Sequence, residues 1–101
     1  MPNDQPAILR SYLVESYWPG VTEPGVIVTM RRARQAAEEL TGPGSRIRYV
    51  TSYLVTQDEV AFSLFDATSV SMVEETCRQA ELPFDRIVAI VQIDAENEST
   101  R

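Results

Sequence analysis

The chain contains no histidine and a single cysteine, Cys77. Without imidazole, the Ser-His and Cys-His pairs that activate nucleophiles cannot be assembled. One thiol makes neither an internal disulfide nor a cysteine-cluster metal site, so this small fold has to be held by burial rather than by cross-links. Glycine is sparse as well: Gly20, Gly25, Gly42 and Gly44 are too dispersed for a phosphate-cradling loop or a dinucleotide fingerprint and read as turn residues. No apolar run approaches the length of a bilayer span. The opening Met1-Pro2-Asn3-Asp4-Gln5-Pro6 lacks the basic start and hydrophobic segment of a secretion signal, so a cytoplasmic location is expected. Basic residues are in the minority, with 9 Lys plus Arg against 15 Asp plus Glu and a formal charge of −6. That balance favours solubility and disfavours broad attraction to nucleic acid or to an anionic membrane, so neither is an expected partner.

What the chain does have is an order of periodicities. With 101 residues and 44% hydrophobic content it supports one domain with a modest core. The expected division is a flexible lead over residues 1–7, one domain over 8–94 and a polar tail over 95–101. Alternation from Ile8 to Tyr17 predicts a first strand, with Tyr12 and Val14 on one side and Leu13 and Glu15 on the other. Trp18-Pro19-Gly20 ends it. Thr22 is a candidate cap for a helix running to Leu40, with Pro24 tolerated in its first turn and Val26, Met30, Ala33, Ala37 and Leu40 as its apolar stripe. Arg31, Arg32 and Arg34 turn mostly to water. Gly42-Pro43-Gly44 stops the helix.

Arg46 to Thr56 alternates again, and Gln57-Asp58 reverses the chain into a third strand from Val60 to Phe65. A second helix is predicted from Ser69 to Glu81, buried along Val70, Val73, Cys77 and Ala80. Ser71 with Glu74 offers an alternative capping box that would start it two residues later. Leu82-Pro83 closes it, and the apolar run from Phe84 to Ile93 reads as a last strand covered on both sides. The sequence order is β-α-β-β-α-β. It predicts a ferredoxin-like α+β fold, a four-stranded antiparallel sheet with two helices on one face.

A sheet covered on one face needs one apolar set per strand, yet large groups stand in both sets here. Two helices cannot shield Tyr12, Val14, Tyr49, Tyr53 and the second set of the last strand together, so an apolar sheet surface, or the strand edges adjoining it, is expected to join a second copy in a homodimer; the competing reading is a monomer whose hydroxyl-rich open face is tolerably wetted. Tyr17 and Trp18, at the exit of the first strand, are the strongest small-molecule contact candidates, together with Arg10 or Arg48, but aromatics at strand ends commonly close a core, and ordinary rim packing is the favoured reading. Cys77 falls on the apolar side of its helix, which favours an inert core thiol over a reactive one. Glu74, Glu75, Glu81 and Asp85 concentrate carboxylates near the second helix. Neighbouring glutamates on a helix point different ways, which favours a solvated surface over a divalent-cation site. Arg78 and Arg86 are expected to pair with Glu74, Glu75 or Asp85.

Four segments carry a family resemblance: Ser11-Tyr12-Leu13-Val14-Glu15, Tyr49-Val50-Thr51-Ser52-Tyr53-Leu54-Val55-Thr56-Gln57-Asp58, Phe65-Asp66-Ala67, and Cys77-Arg78-Gln79-Ala80-Glu81-Leu82-Pro83-Phe84-Asp85-Arg86-Ile87. Over roughly Ile8 to Ile93 the chain resembles small bacterial nickel-binding-protein-like domains, common in actinobacteria and grouped as a domain of unknown function. The resemblance implies a ferredoxin-like dimer and, for some members, binding of nickel or another divalent metal. The family's helix carries Glu-His-Ala-Arg where this chain has Glu75-Thr76-Cys77-Arg78, so threonine stands where the family has imidazole. The family also has glycine where this chain has Glu81. Nickel favours imidazole donors, so any metal here would need carboxylate, thiol or backbone ligands such as Glu75 and Cys77.

The first functional reading is accordingly a small dimeric ligand-binding or interaction protein without a cofactor. A pocket near Tyr17, Trp18, Arg48, Glu75 and Cys77 is its expected ligand site. A divalent-metal binder is the second reading, and a cofactor-independent monooxygenase or isomerase the third.

Overall fold

The computed structural model of the protein describes residues 8–95. The expected lead over residues 1–7, and all of the expected tail except Ala95, lie outside the described residues. Strand β1 (Arg10–Tyr17) leads through a short turn into helix α1 (Glu23–Leu40), then β2 (Ile47–Val55), β3 (Val60–Ala67), helix α2 (Val70–Ala80) and β4 (Arg86–Ile90). All neighbouring strands are antiparallel, and the order across the sheet is β2-β3-β1-β4. With both helices packed on one side, this is the ferredoxin-like α+β fold. Among the described residues no helix is long and apolar enough to cross a membrane.

Local chemistry accounts for the element ends. Gly20 takes a positive φ of 74° in the turn after β1, a backbone shape that a residue with Cβ resists. Thr22 caps α1, its Oγ1 accepting the Gly25 N–H at 3.1 Å, and Pro24 sits in the first turn where its missing donor costs nothing. For α2 the cap is Ser69, whose Oγ accepts the Met72 N–H at 3.3 Å, so the helix starts ahead of the alternative box at Ser71. Glu81 ends α2 in the left-handed region at φ 58°, and the Leu82 N–H then reaches back to the Cys77 carbonyl at 2.9 Å. The β2–β3 reversal is a single 3-10 turn over Thr56–Asp58 followed by Glu59, also left-handed at φ 55°.

The core lies between the helices and one face of the sheet. Val26, Met30, Ala33, Ala36 and Ala37 of α1 and Val73, Cys77 and Ala80 of α2 meet Tyr12, Val14, Phe65, Ala67 and Ile47 of the strands. The small residues of α1 let it approach the sheet closely, and Phe65 supplies the largest fully buried side chain. Val70, expected in the α2 stripe, is instead exposed at the first helical position, and Thr76 takes an inward position with its hydroxyl donated to the Met72 carbonyl at 2.8 Å. Leu40, the last residue of α1, is only half-buried.

Two corrections concern the sheet faces. Tyr12 and Val14, expected on the open face, lie beneath the helices, Val14 without any exposure. In β2, simple alternation puts Tyr49 and Tyr53 on one face. The structure separates them, because the pairing with β3 jumps from Tyr49↔Phe65 to Thr51↔Leu64 and leaves Val50 as an extra residue. This β-bulge reverses the facing of everything after it. Tyr49 therefore packs edge-on against Phe65, with ring centroids 5.6 Å apart and planes at 67°, while Tyr53 points away from the helices at 60% exposure.

The last strand is also shorter than its apolar run. Its pairing with β1 ends at Ser11↔Ile90, so Val91 and Ile93 continue past the sheet at 82% and 85% exposure.

Candidate functional site

Two surfaces combine apolar area with organised polar groups. The first is the helix-free face of the sheet. Its middle row crosses all four strands as Val88, Leu13, Leu64 and Thr51, and the next row runs Arg86, Glu15, Phe62 and Tyr53. On the other side of the middle row lie Ile90, Ser11, Asp66 and Arg48. Charges occupy opposite sheet edges. Arg86 Nε donates to Glu15 Oε1 at 2.6 Å on the β4 side, and Arg48 Nη2 donates to Asp66 Oδ2 at 2.6 Å on the β2 side. Ser11 Oγ donates to the other Asp66 oxygen at 2.8 Å. With each arginine matched by one carboxylate the face is locally neutral, although the chain carries −6.

The second surface is a groove of about 440 Å³ where α1 overhangs the edge strand β2. Val26, Ile27, Met30 and Leu54 form its apolar walls, Arg31 and Arg34 stand on the helix side, and Tyr49 and Ser52 line its sheet side. The Arg34 guanidinium lies 5.6 Å from the centre of the Tyr49 ring, within reach of a cation–π contact. Tyr49 Oη lies 2.8 Å from Ser52 Oγ, which lies 2.9 Å from Ser63 Oγ, and Ser63 donates at 3.5 Å to the Met30 sulfur.

One arrangement of protons lets all three contacts be hydrogen bonds at once. Thioether sulfur has no hydrogen, so in that arrangement Ser63 donates to it and accepts from Ser52. Ser52 has then used its one proton and must accept from Tyr49. The row runs Tyr49 to Ser52 to Ser63 to Met30, and the phenol oxygen turns lone pairs, not its proton, toward the groove.

The residues expected to form a ligand pocket are not brought together. Tyr17 is exposed at the end of β1, its backbone N–H held by Asp85 Oδ2, while Trp18 is half-buried against the core. Arg48 borders a separate hollow of about 360 Å³ beside Arg46, Ile47 and Glu38. Glu75 is on the outer side of α2, 3.4 Å from Arg78, and Cys77, two residues on, is buried. Desolvation pushes the Cys77 thiol up to about 12, with the Arg78 charge opposing weakly, so it stays protonated and is a poor nucleophile and a poor metal donor at neutral pH. Glu75 and Cys77 therefore do not share a site. Among the described residues no group of three or more His, Cys, Asp or Glu side chains is placed to hold a metal ion. Arg78 has Glu74 and Glu75 as its partners, whereas Arg86 pairs across the sheet with Glu15 in place of Asp85.

Sequence reading passed over the groove. Arg31 and Arg34 look like solvent-side residues of α1, and they are exposed; only the placement of α1 beyond β2 makes their side of the helix one wall of a cavity. Ser52 and Ser63 become a pair only once the strand register is known. The usable signal is the i, i+3 arginine pair beside an apolar stripe that contains Met30. No protein-family model matches this chain, and neither does any curated protein or solved structure.

Proposed function

We propose that the protein works as a homodimer joined through its helix-free sheet face, and that the dimer is a binding module with one α1–β2 groove in each subunit. The observation that carries the reading is the composition of that face. Leu13, Leu64, Phe62, Val88 and Tyr53 form a continuous apolar field crossing all four strands, with no helix over it. A contiguous apolar field of this kind is unusual on a monomer and is the common mark of an association surface.

A second copy is the occupant that the electrostatics favour. Two chains of charge −6 repel each other, but two locally neutral faces can meet without bringing like charges together. Both ion pairs stand toward the edges of the face, where a polar rim remains solvated around an apolar centre. Past the end of β4, Val91 and Ile93 are further exposed apolar residues.

The test is a particle mass measured by light scattering or sedimentation on untagged protein across a range of concentrations. The expected mass is that of two 11.3 kDa chains. A mass of one chain at every concentration up to hundreds of micromolar would overturn the assembly.

A further inference from the structure

We propose that the groove between α1 and β2 binds a small aromatic monoanion that also carries a hydrogen-bond donor, the chemistry of a hydroxyaryl carboxylate. The inference rests on the ligand-binding half of the function proposed above and assigns the site and the ligand class. Three features of the groove converge on it.

The first is charge. In a chain of net charge −6, Arg31 and Arg34 stand one turn apart at the same groove, and neither has a carboxylate partner among the described residues. Two unneutralised guanidiniums recognise a carboxylate through charge-assisted hydrogen bonds. Glu23 also lines the groove, but it precedes Arg31 by eight residues on the helix, about 12 Å along the axis. A second anionic group reaching that end would be repelled, which limits the ligand to one negative charge.

The second is the direction of the hydroxyl row. With all three contacts of the row made, the protons run inward to the Met30 sulfur, and Tyr49 Oη and the remaining Ser52 lone pair present acceptors to the groove. A ligand group beside them has to donate, as a phenol or an amide N–H does. The third is shape and polarity. The walls are Val26, Ile27, Met30 and Leu54, and Arg34 already lies against an aromatic face, so a flat apolar body fits between the donor and the anion.

The experiment is a calorimetric or ligand-observed NMR titration of the whole untagged chain with three probes: 4-hydroxyphenylacetate, phenylacetate and 4-hydroxyphenylethanol. The first is expected to bind, and each of the others to bind about tenfold more weakly or worse, the factor that follows from losing one good polar contact. Arg31→Gln and Arg34→Gln are expected to weaken both acids about tenfold while leaving the alcohol unchanged. Both side chains are exposed, so these variants keep the fold, which circular dichroism verifies. Tyr49→Phe, which preserves the ring against Phe65, is expected to abolish the preference for 4-hydroxyphenylacetate over phenylacetate.

Absence of binding at millimolar 4-hydroxyphenylacetate, or acid binding that ignores both arginine substitutions, would overturn the proposal. So would equal affinity for all three probes. The groove is built within one subunit, so particle mass measured on the same samples separates the two readings. A dimer that takes no acid refutes this ligand class alone, and a monomer that takes the acid refutes the assembly alone.

Discussion

Leu13 occupies the middle row of the helix-free face, between Leu64 of β3 and Val88 of β4. Replacing it with aspartate places a carboxylate at the centre of the proposed contact while touching nothing beneath the helices. Leu13 is already partly buried in the isolated chain, so a contact withdraws only the remainder from water, about 0.5–1 kcal/mol of what fully burying a leucine is worth. A two-fold contact contains the residue once from each copy, so losing both contributes about 1–2 kcal/mol to dissociation. That converts to a dissociation constant raised by roughly fivefold to thirtyfold, before the added cost of burying two like charges. In an isolated chain the same aspartate faces water, so far-UV circular dichroism and the thermal transition of the monomer should be close to native. Sedimentation velocity at tens of micromolar is the assay, with wild type expected at two chains, Leu13→Asp at one, and Leu13→Ala shifted part of the way. A two-chain mass retained by Leu13→Asp would show that the copies meet elsewhere, and the argument from the uncovered face would fail.

Other expectations follow from single contacts. Glu81→Gly should stabilise the chain by about 0.5–1 kcal/mol in urea denaturation, because Glu81 sits at φ 58° and glycine removes that strain at a smaller entropic cost; an unchanged midpoint would mean the strain is negligible. Ser63→Ala should destabilise by about 1–2 kcal/mol by removing the buried link between Ser52 and Met30, and a change of a few tenths would show that the hydroxyl row is dispensable. Cys77 should resist thiol reagents at pH 8 in the folded protein and react fully once it is unfolded; rapid labelling of the native state would contradict its burial. Its folded thiol is raised from 9.0 to about 12, so the folded state holds the proton that the unfolded state releases. The contribution is complete below pH 9 and lost as pH rises toward 12. Urea denaturation at pH 7 and pH 10 should therefore show a larger alkaline loss for wild type than for Cys77→Ala, and equal losses would refute the linkage.

The order of the elements was legible because period-2 and period-3.6 patterns alternate cleanly and because Thr22, Pro24 and the Gly42-Pro43-Gly44 stop act locally. What depends on partners was less legible. Val91 and Ile93 have the composition of strand residues, yet β1 offers them no ladder beyond Ser11, and the strand stops. Val70 fits a helical stripe by spacing, but at the first position of α2 it has no sheet beneath it. Nothing in Tyr49-Val50-Thr51 announces a bulge: no glycine marks it, and Val50 favours regular strand. That single extra residue decides which tyrosine of β2 is inside, so of the residues expected on the open face Tyr53 stands there, while Tyr12, Val14 and Tyr49 belong to the helix-covered side. The arginines of the groove were invisible for a similar reason, since exposure on a helix says nothing about whether the helix overhangs a sheet edge.

The extra residue at Val50 also makes β2 a two-sided part. Ahead of it, Tyr49 belongs to the interior and the groove; behind it, Tyr53 belongs to the outer sheet surface. Deleting Val50 would join Tyr49 to Thr51, whose partners Phe65 and Leu64 are already consecutive on β3, so unbroken alternation would return with Thr51 and Tyr53 still outward and Ser52 still inward. A one-residue deletion at the bulge should thus spare both surfaces, whereas one extra residue between Thr51 and Tyr53 would turn Tyr53 toward α1 and damage both at once.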